Sequence, residues 1–172
     1  MGRYLSFPIL VVVVVLQSTL VPIIRIGGGG PDLLLMVVLS WTMLAGLEEG
    51  LIWAMVGGIL QDLVIGLPTG TTALALVILA GLTSFVFGPV GSGNLVIPPI
   101  VLAVGTVLYE LLLGITLAVL GRLSVMGQVA DINYVLTYIT LPTLMYNVIL
   151  ILPIFRVMGL IFKASRPSRV SL

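Results

Sequence analysis

The stretch GLEEGLIWAMVGGILQDLVIGLPTG, residues 46–70, places Gly46, Gly50, Ala54, Gly58, Asp62, Gly66 and Gly70 at every fourth position. On a helix, residues four apart lie one above the other, so this spacing makes a narrow stripe almost free of side chain. A neighbouring backbone can approach such a stripe very closely. One member of the stripe is an acid in apolar surroundings, so Asp62 needs either a partner or a task.

The rest of the chain is equally apolar. Of its 172 residues, 60% are hydrophobic and 8% charged, and the mean hydropathy is +1.34. Soluble domains carry about a quarter charged residues, so the composition predicts an all-α integral membrane protein. The length accommodates about six spans of about 20 residues and leaves no room for a soluble catalytic domain. A net charge of +1 argues against nucleic acid as a partner. The chain has no cysteine and no histidine, which excludes disulfides, thiolate or imidazole metal sites, and triads built on those groups. No cofactor is expected.

Read in order, the chain predicts a first span over 4–24, apolar through Val11–Val15 and closed by Arg25; no small-residue cleavage site follows it, so it reads as retained. Gly27 to Gly30 predict a flexible turn. Pro31-Asp32 opens span two, 33–46, since proline suits a first helical turn and a carboxylate there complements the helix dipole. That span is short, about 21 Å against a hydrocarbon core of about 30 Å. A tight turn through Gly46-Leu47-Glu48-Glu49-Gly50 leads to span three, 50–66, and Leu67-Pro68-Thr69-Gly70 leads to span four, 71–87. A glycine-rich loop, 88–94, precedes span five, 97–120, with Pro98 and Pro99 in its first turn. An exposed segment, 121–133, carries Arg122 and Asp131; span six covers 134–155, with Pro142 and Pro153 as kink points, and a tail follows from Arg156. All 172 residues form one transmembrane domain.

Arg3, Arg156, Lys163, Arg166 and Arg169 fall on one side of this arrangement, Arg25 and Arg122 on the other. Positively charged flanks stay in the cytoplasm, so both termini are expected there, in a multi-pass protein of the inner membrane. Asp32, Asp62 and Asp131 then lie on the outer side. Three basic residues after the last span are short of the about 4 to 8 that indicate acidic-lipid binding.

Two readings of the stripe remain open: a docking face for a helix of another protein, or close packing within the bundle. Asp62 stands in the last turn of its span, where the helix dipole disfavours a carboxylate. Its expected partners are the amides and hydroxyls of Thr69, Thr71 and Thr72 at the start of span four, or Arg25 or Arg122. Glu110, in mid-span, costs roughly 2.5 to 3.5 kcal/mol if charged and facing lipid. It points to proton coupling, to a substrate pocket, or to an interhelix hydrogen bond with Asn147 or, more weakly, Gln17. Trp41 and Trp53 show no evident stacking arrangement, and Tyr134 and Tyr138 fit interfacial anchors. No nucleophile or metal cluster accompanies Asp62 and Glu110, so no enzyme is expected.

Pro31-Asp32-Leu33-Leu34-Leu35 and the run Gly57-Gly58-Ile59-Leu60-Gln61-Asp62-Leu63-Val64-Ile65-Gly66-Leu67-Pro68-Thr69-Gly70 resemble the rod shape-determining protein MreD family. The resemblance implies a non-enzymatic membrane scaffold of the bacterial elongation complex, or elongasome, which maintains cell shape and supports peptidoglycan synthesis. Its implied partners are the membrane helix of MreC and, indirectly, MreB filaments, RodA and its penicillin-binding transpeptidase. It also implies a six-helix fold similar to the substrate-binding subunits of energy-coupling factor transporters. A vitamin-binding subunit of that kind is the alternative; such a subunit docks through alanine-containing patterns on its first helix, and span one here has no alanine.

Overall fold

A computed structural model describes residues 2–25, 28–88, 95–119 and 135–165. Every element among them is a helix: α1 (Gly2–Thr19), α2 (Val21–Ile24), α3 (Leu33–Ala45), α4 (Leu47–Ile65), α5 (Thr71–Phe87), α6 (Ile97–Val119) and α7 (Leu141–Ser165), the last preceded by a π-helical turn, Val135–Thr140. The segments 89–94 and 120–134, with Arg122, Asp131 and Tyr134, lie outside the described residues, as do Gly27, Arg166, Arg169 and the side chain of Arg3.

Helix α3 is the centre of the bundle. All eleven residues from Leu34 to Leu44 are buried, so it has no outward face, the pattern of a core helix packed on all sides. It packs against α1, α4, α5, α6 and α7. Thirteen residues make it about 20 Å long. Ile97–Leu117 and Tyr138–Ser165 are long and apolar enough to cross a membrane, and Phe7–Thr19, Thr71–Phe87 and α3 itself are shorter apolar helices.

Two glycines of the stripe are covered from within the bundle, whereas Gly46, Gly66 and Gly70 stand at helix ends with nothing within 4 Å of where a Cβ would be. A Cβ on Gly50 would stand 2.4 Å from the Thr42 hydroxyl oxygen of α3, and one on Gly58 would stand 2.3 Å from Ala73 Cα of α5. Ala54 and Asp62 are fully buried between them. Gly57, off the stripe, does the same toward Leu34 and Leu10. Successive glycines thus bring three different helices against α4. Gly66 ends α4 at φ +72°, a left-handed conformation that costs glycine nothing.

Several boundaries differ from those the sequence predicts. The first span breaks after Thr19, because Pro22 lacks an N–H and its ring collides with the carbonyl one turn back. The Gly46–Gly50 turn contracts to Gly46 alone. Leu47, Glu48 and Glu49 already belong to the first turn of α4, where the positive end of the helix dipole favours both carboxylates. The last helix runs through Pro153 to Ser165 rather than ending at Phe155. Its irregularity lies instead in the π turn just ahead of Pro142.

Trp41 and Trp53 do stack, with ring centroids 4.3 Å apart and planes 18° from parallel. Trp41 lies near the end of α3 and Trp53 in the second turn of α4, so the hairpin at Gly46 folds one ring onto the other. Phe162 meets Trp41 edge-on at 5.8 Å, and the indole Nε1 donates to Glu49 Oε2 at 3.1 Å. The rings are twelve residues apart with no fixed period between them, so the sequence carried no sign of the pairing.

Candidate functional site

A helix that begins inside a bundle must satisfy its first amides without water. At the start of α3 this is done by side chains from three elements. Asp32 N donates to Asn147 Oδ1 of α7 at 2.8 Å, Leu33 N to Gln17 Oε1 of α1 at 2.7 Å, and Leu35 N to Asp32 Oδ1 at 2.9 Å. Asn147 also donates through Nδ2 to Thr106 Oγ1 of α6 at 2.9 Å. Asn147 and Gln17, expected as partners for Glu110, instead accept from the first amides of α3.

The chain that leads into this helix end is not a flexible turn. Gly28 N donates to Tyr138 O in the π turn at 3.0 Å, and a Cβ on Gly29 would fall 2.3 Å from Ile139 O. Pro142, four residues after Tyr138, has no N–H to offer the Tyr138 carbonyl, and the glycine segment lies against it.

Beside the capped helix end is a cavity of about 260 Å³. Its polar wall is formed by Gln17, Arg25, Asp32, Thr106, Tyr109 and Glu110. Glu110 hydrogen-bonds to Thr140, and its Oε2 is buried with no partner among the described residues. Asp32, immediately ahead of α3, has its carboxyl pushed up to about 6, first by burial and further by the charge of Glu110, against the pull of the Leu35 and Leu34 amides. Two carboxylates far apart in sequence thus share one polar space.

Asp62 lies at a second polar centre. Its carboxylate accepts from Gly70 N at 2.8 Å and from Thr72 N at 3.0 Å. Gly70 is the N-cap residue of α5 and has no side chain to cap with; Asp62 supplies from α4 the acceptor that an N-cap Ser or Asp supplies from its own position. The Asp62 carbonyl also accepts from Gly66 N and Leu67 N, closing the end of α4. The Thr71 hydroxyl donates to Pro68 O instead. Arg25 lines the cavity instead. Tyr109 hydrogen-bonds to the Thr72 side chain, so one residue of the cavity wall touches the α5 cap.

A family model for the rod shape-determining protein MreD matches residues 1–164. The chain belongs to the MreD family. Membership carries a role in rod shape determination, and the apolar helices are consistent with a membrane protein. No curated protein and no solved structure matches the chain. The MreD match takes in both polar centres, the α3 cap with its cavity and the α4–α5 turn. Of the residues marked in the sequence, Asp62 sits at the α5 cap, Gln17 and Asn147 at the α3 cap, and Glu110 on the cavity wall. The cavity itself escaped sequence reading, because Gln17, Asp32, Glu110 and Asn147 meet only through tertiary packing. The one available signal was an acid, Asp32, directly after Pro31 at a helix start.

Proposed function

We propose that this chain is a non-enzymatic scaffold subunit of the bacterial elongation complex, embedded in the inner membrane as a single six-span domain with both termini cytoplasmic. The family match carries this reading. In it, the bundle binds the membrane helix of MreC and through it connects to MreB filaments, RodA and its transpeptidase, supporting peptidoglycan synthesis. The fold would be of the kind found in energy-coupling factor substrate-binding subunits. Support for a bilayer setting comes from the outward surface: Phe85 is 90% exposed, Ile23 78% and Leu160 68%, a perimeter suited to hydrocarbon.

The helical glycines of the stripe, Gly50 and Gly58, are covered by Thr42 and Ala73 of the same bundle, which favours an MreC contact on an outward face. Co-purification from native membranes tests the proposal. Recovery of a single-span partner supports it; a retained vitamin with an ATPase module would overturn it. The vitamin-binding alternative draws some support from the polar cavity, but about 260 Å³ is below the about 300 to 1,000 Å³ of pockets for drug-sized ligands.

A further inference from the structure

The cavity beside α3 holds more charge than the helix cap uses. The amides of Asp32, Leu33 and Leu35 are bonded to Asn147, Gln17 and Asp32, so this helix end presents none of them to a ligand. The surplus is in acceptors. Glu110, whose Oε2 is buried without a partner among the described residues, lines the cavity with Asp32 and Tyr109. A group that donates several hydrogen bonds and carries positive charge matches such a wall. A metal ion fits less well: no group of three or more acids is found among the described residues, whereas calcium takes about six to eight oxygens. Arg25, on the same wall and reaching solvent, adds a receptor for negative charge.

We propose that this cavity binds a small zwitterionic amine of the phosphoethanolamine type, its ammonium held by Asp32 and Glu110 and its anionic group by Arg25. The size agrees, since about 260 Å³ admits a headgroup and not a drug-sized molecule. The charged residues that line the cavity with Asp32 are Glu110, whose charge acts on it, and Arg25, with Tyr109 beside them. An arriving ammonium lowers the Asp32 carboxyl from its raised value, so binding strengthens as pH rises through about 6. The same chemistry is available from a free metabolite or from a phosphatidylethanolamine headgroup entering at the Arg25 side.

The test uses the full chain in nanodiscs of phosphatidylglycerol, titrated with free phosphoethanolamine and, separately, reconstituted with increasing phosphatidylethanolamine. Calorimetry and thermal melting are the readouts. Saturable binding of the free compound supports the site with a soluble ligand. Stabilisation by the lipid alone supports it with a headgroup as the source. Phosphocholine, which keeps the anion but has no N–H donor, is expected to bind at least tenfold more weakly. Glu110→Gln and Arg25→Gln are each expected to weaken binding about tenfold; Arg25 is exposed, so its variant reads binding without risk to folding. Absence of saturable binding in both arms, or equal binding by phosphocholine and by both variants, overturns the proposal.

Discussion

The cap that Asp62 places on α5 can be broken in two graded steps. Asp62→Leu removes the acceptor for Gly70 N and Thr72 N and strands both amides, that of Thr72 in a buried site and that of Gly70 in a part-buried one. Hydrogen bonds to a charged acceptor contribute about 1.5–3 kcal/mol each, so losing two costs about 3–6 kcal/mol. Asp62→Asn retains one acceptor oxygen and turns an NH₂ toward the second amide, so about half that loss, about 1.5–3 kcal/mol, is expected. Against a total stability of about 5–15 kcal/mol, the leucine variant is severely weakened and the asparagine variant folds. The assay is unfolding in mixed micelles with rising SDS fraction, followed by tryptophan fluorescence. Trp41 of α3 and Trp53 of α4, stacked at 4.3 Å near the Gly46 turn and away from Asp62, report unfolding of the whole hairpin. Equal loss in the two variants, or a leucine variant within about 0.5 kcal/mol of the parent, would refute the argument that these two hydrogen bonds join α4 to α5.

Gly58→Leu forces a side chain into Ala73, whose Cα lies 2.3 Å from the added Cβ; overpacking of this kind costs about 1–3 kcal/mol or more, and a thermal melt should fall well below that of the parent. Partner recovery with this variant is informative only when set against that melt. Asn147→Leu strands the Asp32 amide and removes the donor to Thr106 Oγ1, which keeps its bond to Leu102 O; it is expected to lose about 2–4 kcal/mol in the SDS assay, and a neutral result would remove the α3 cap from the stabilising interactions. Trp41→Phe loses the bond to Glu49 and empties part of a fully buried site, so about 2–4 kcal/mol is expected; a neutral result in the SDS assay would remove both from the stabilising interactions. Asp32 is raised to about 6 from 3.8, so the folded state binds more protons than the unfolded state between those values. Stability should therefore fall as pH rises from about 4 to about 6 and level off above about 7. Asp32→Asn, an equally good N-cap, should flatten that profile, and an unchanged slope would assign it to another group.

Parts of this architecture were legible because they depend on neighbours in sequence. Four-residue spacing of small residues puts Gly50, Ala54, Gly58 and Asp62 on one helix face whatever surrounds them. Gly66 and Pro68 end one helix and Gly70 begins the next within five residues, so Asp62, eight positions before Gly70, had few places to reach. Other parts depend on which helices become neighbours. Whether the stripe faced another protein or its own bundle was undecidable until Thr42 and Ala73 were found against it. Tryptophan stacking depended on the angle at Gly46, where a turn expected over five residues used one.

The amino-acid sequence by itself determined an apolar, helical, cysteine-free and histidine-free chain with an acid at a glycine-lined helix end, because hydropathy and helical period are local quantities. Tertiary structure alone decided what its scattered polar residues do. Gln17, Asp32, Glu110 and Asn147 come together because α3 begins inside the bundle and its amides must find acceptors there. Satisfying those amides draws side chains from α1 and α7 to one point, and the carboxylates of Asp32 and Glu110 are left facing one cavity. That requirement acts through space, over separations as long as the 115 residues between Asp32 and Asn147, and no spacing along the chain records it.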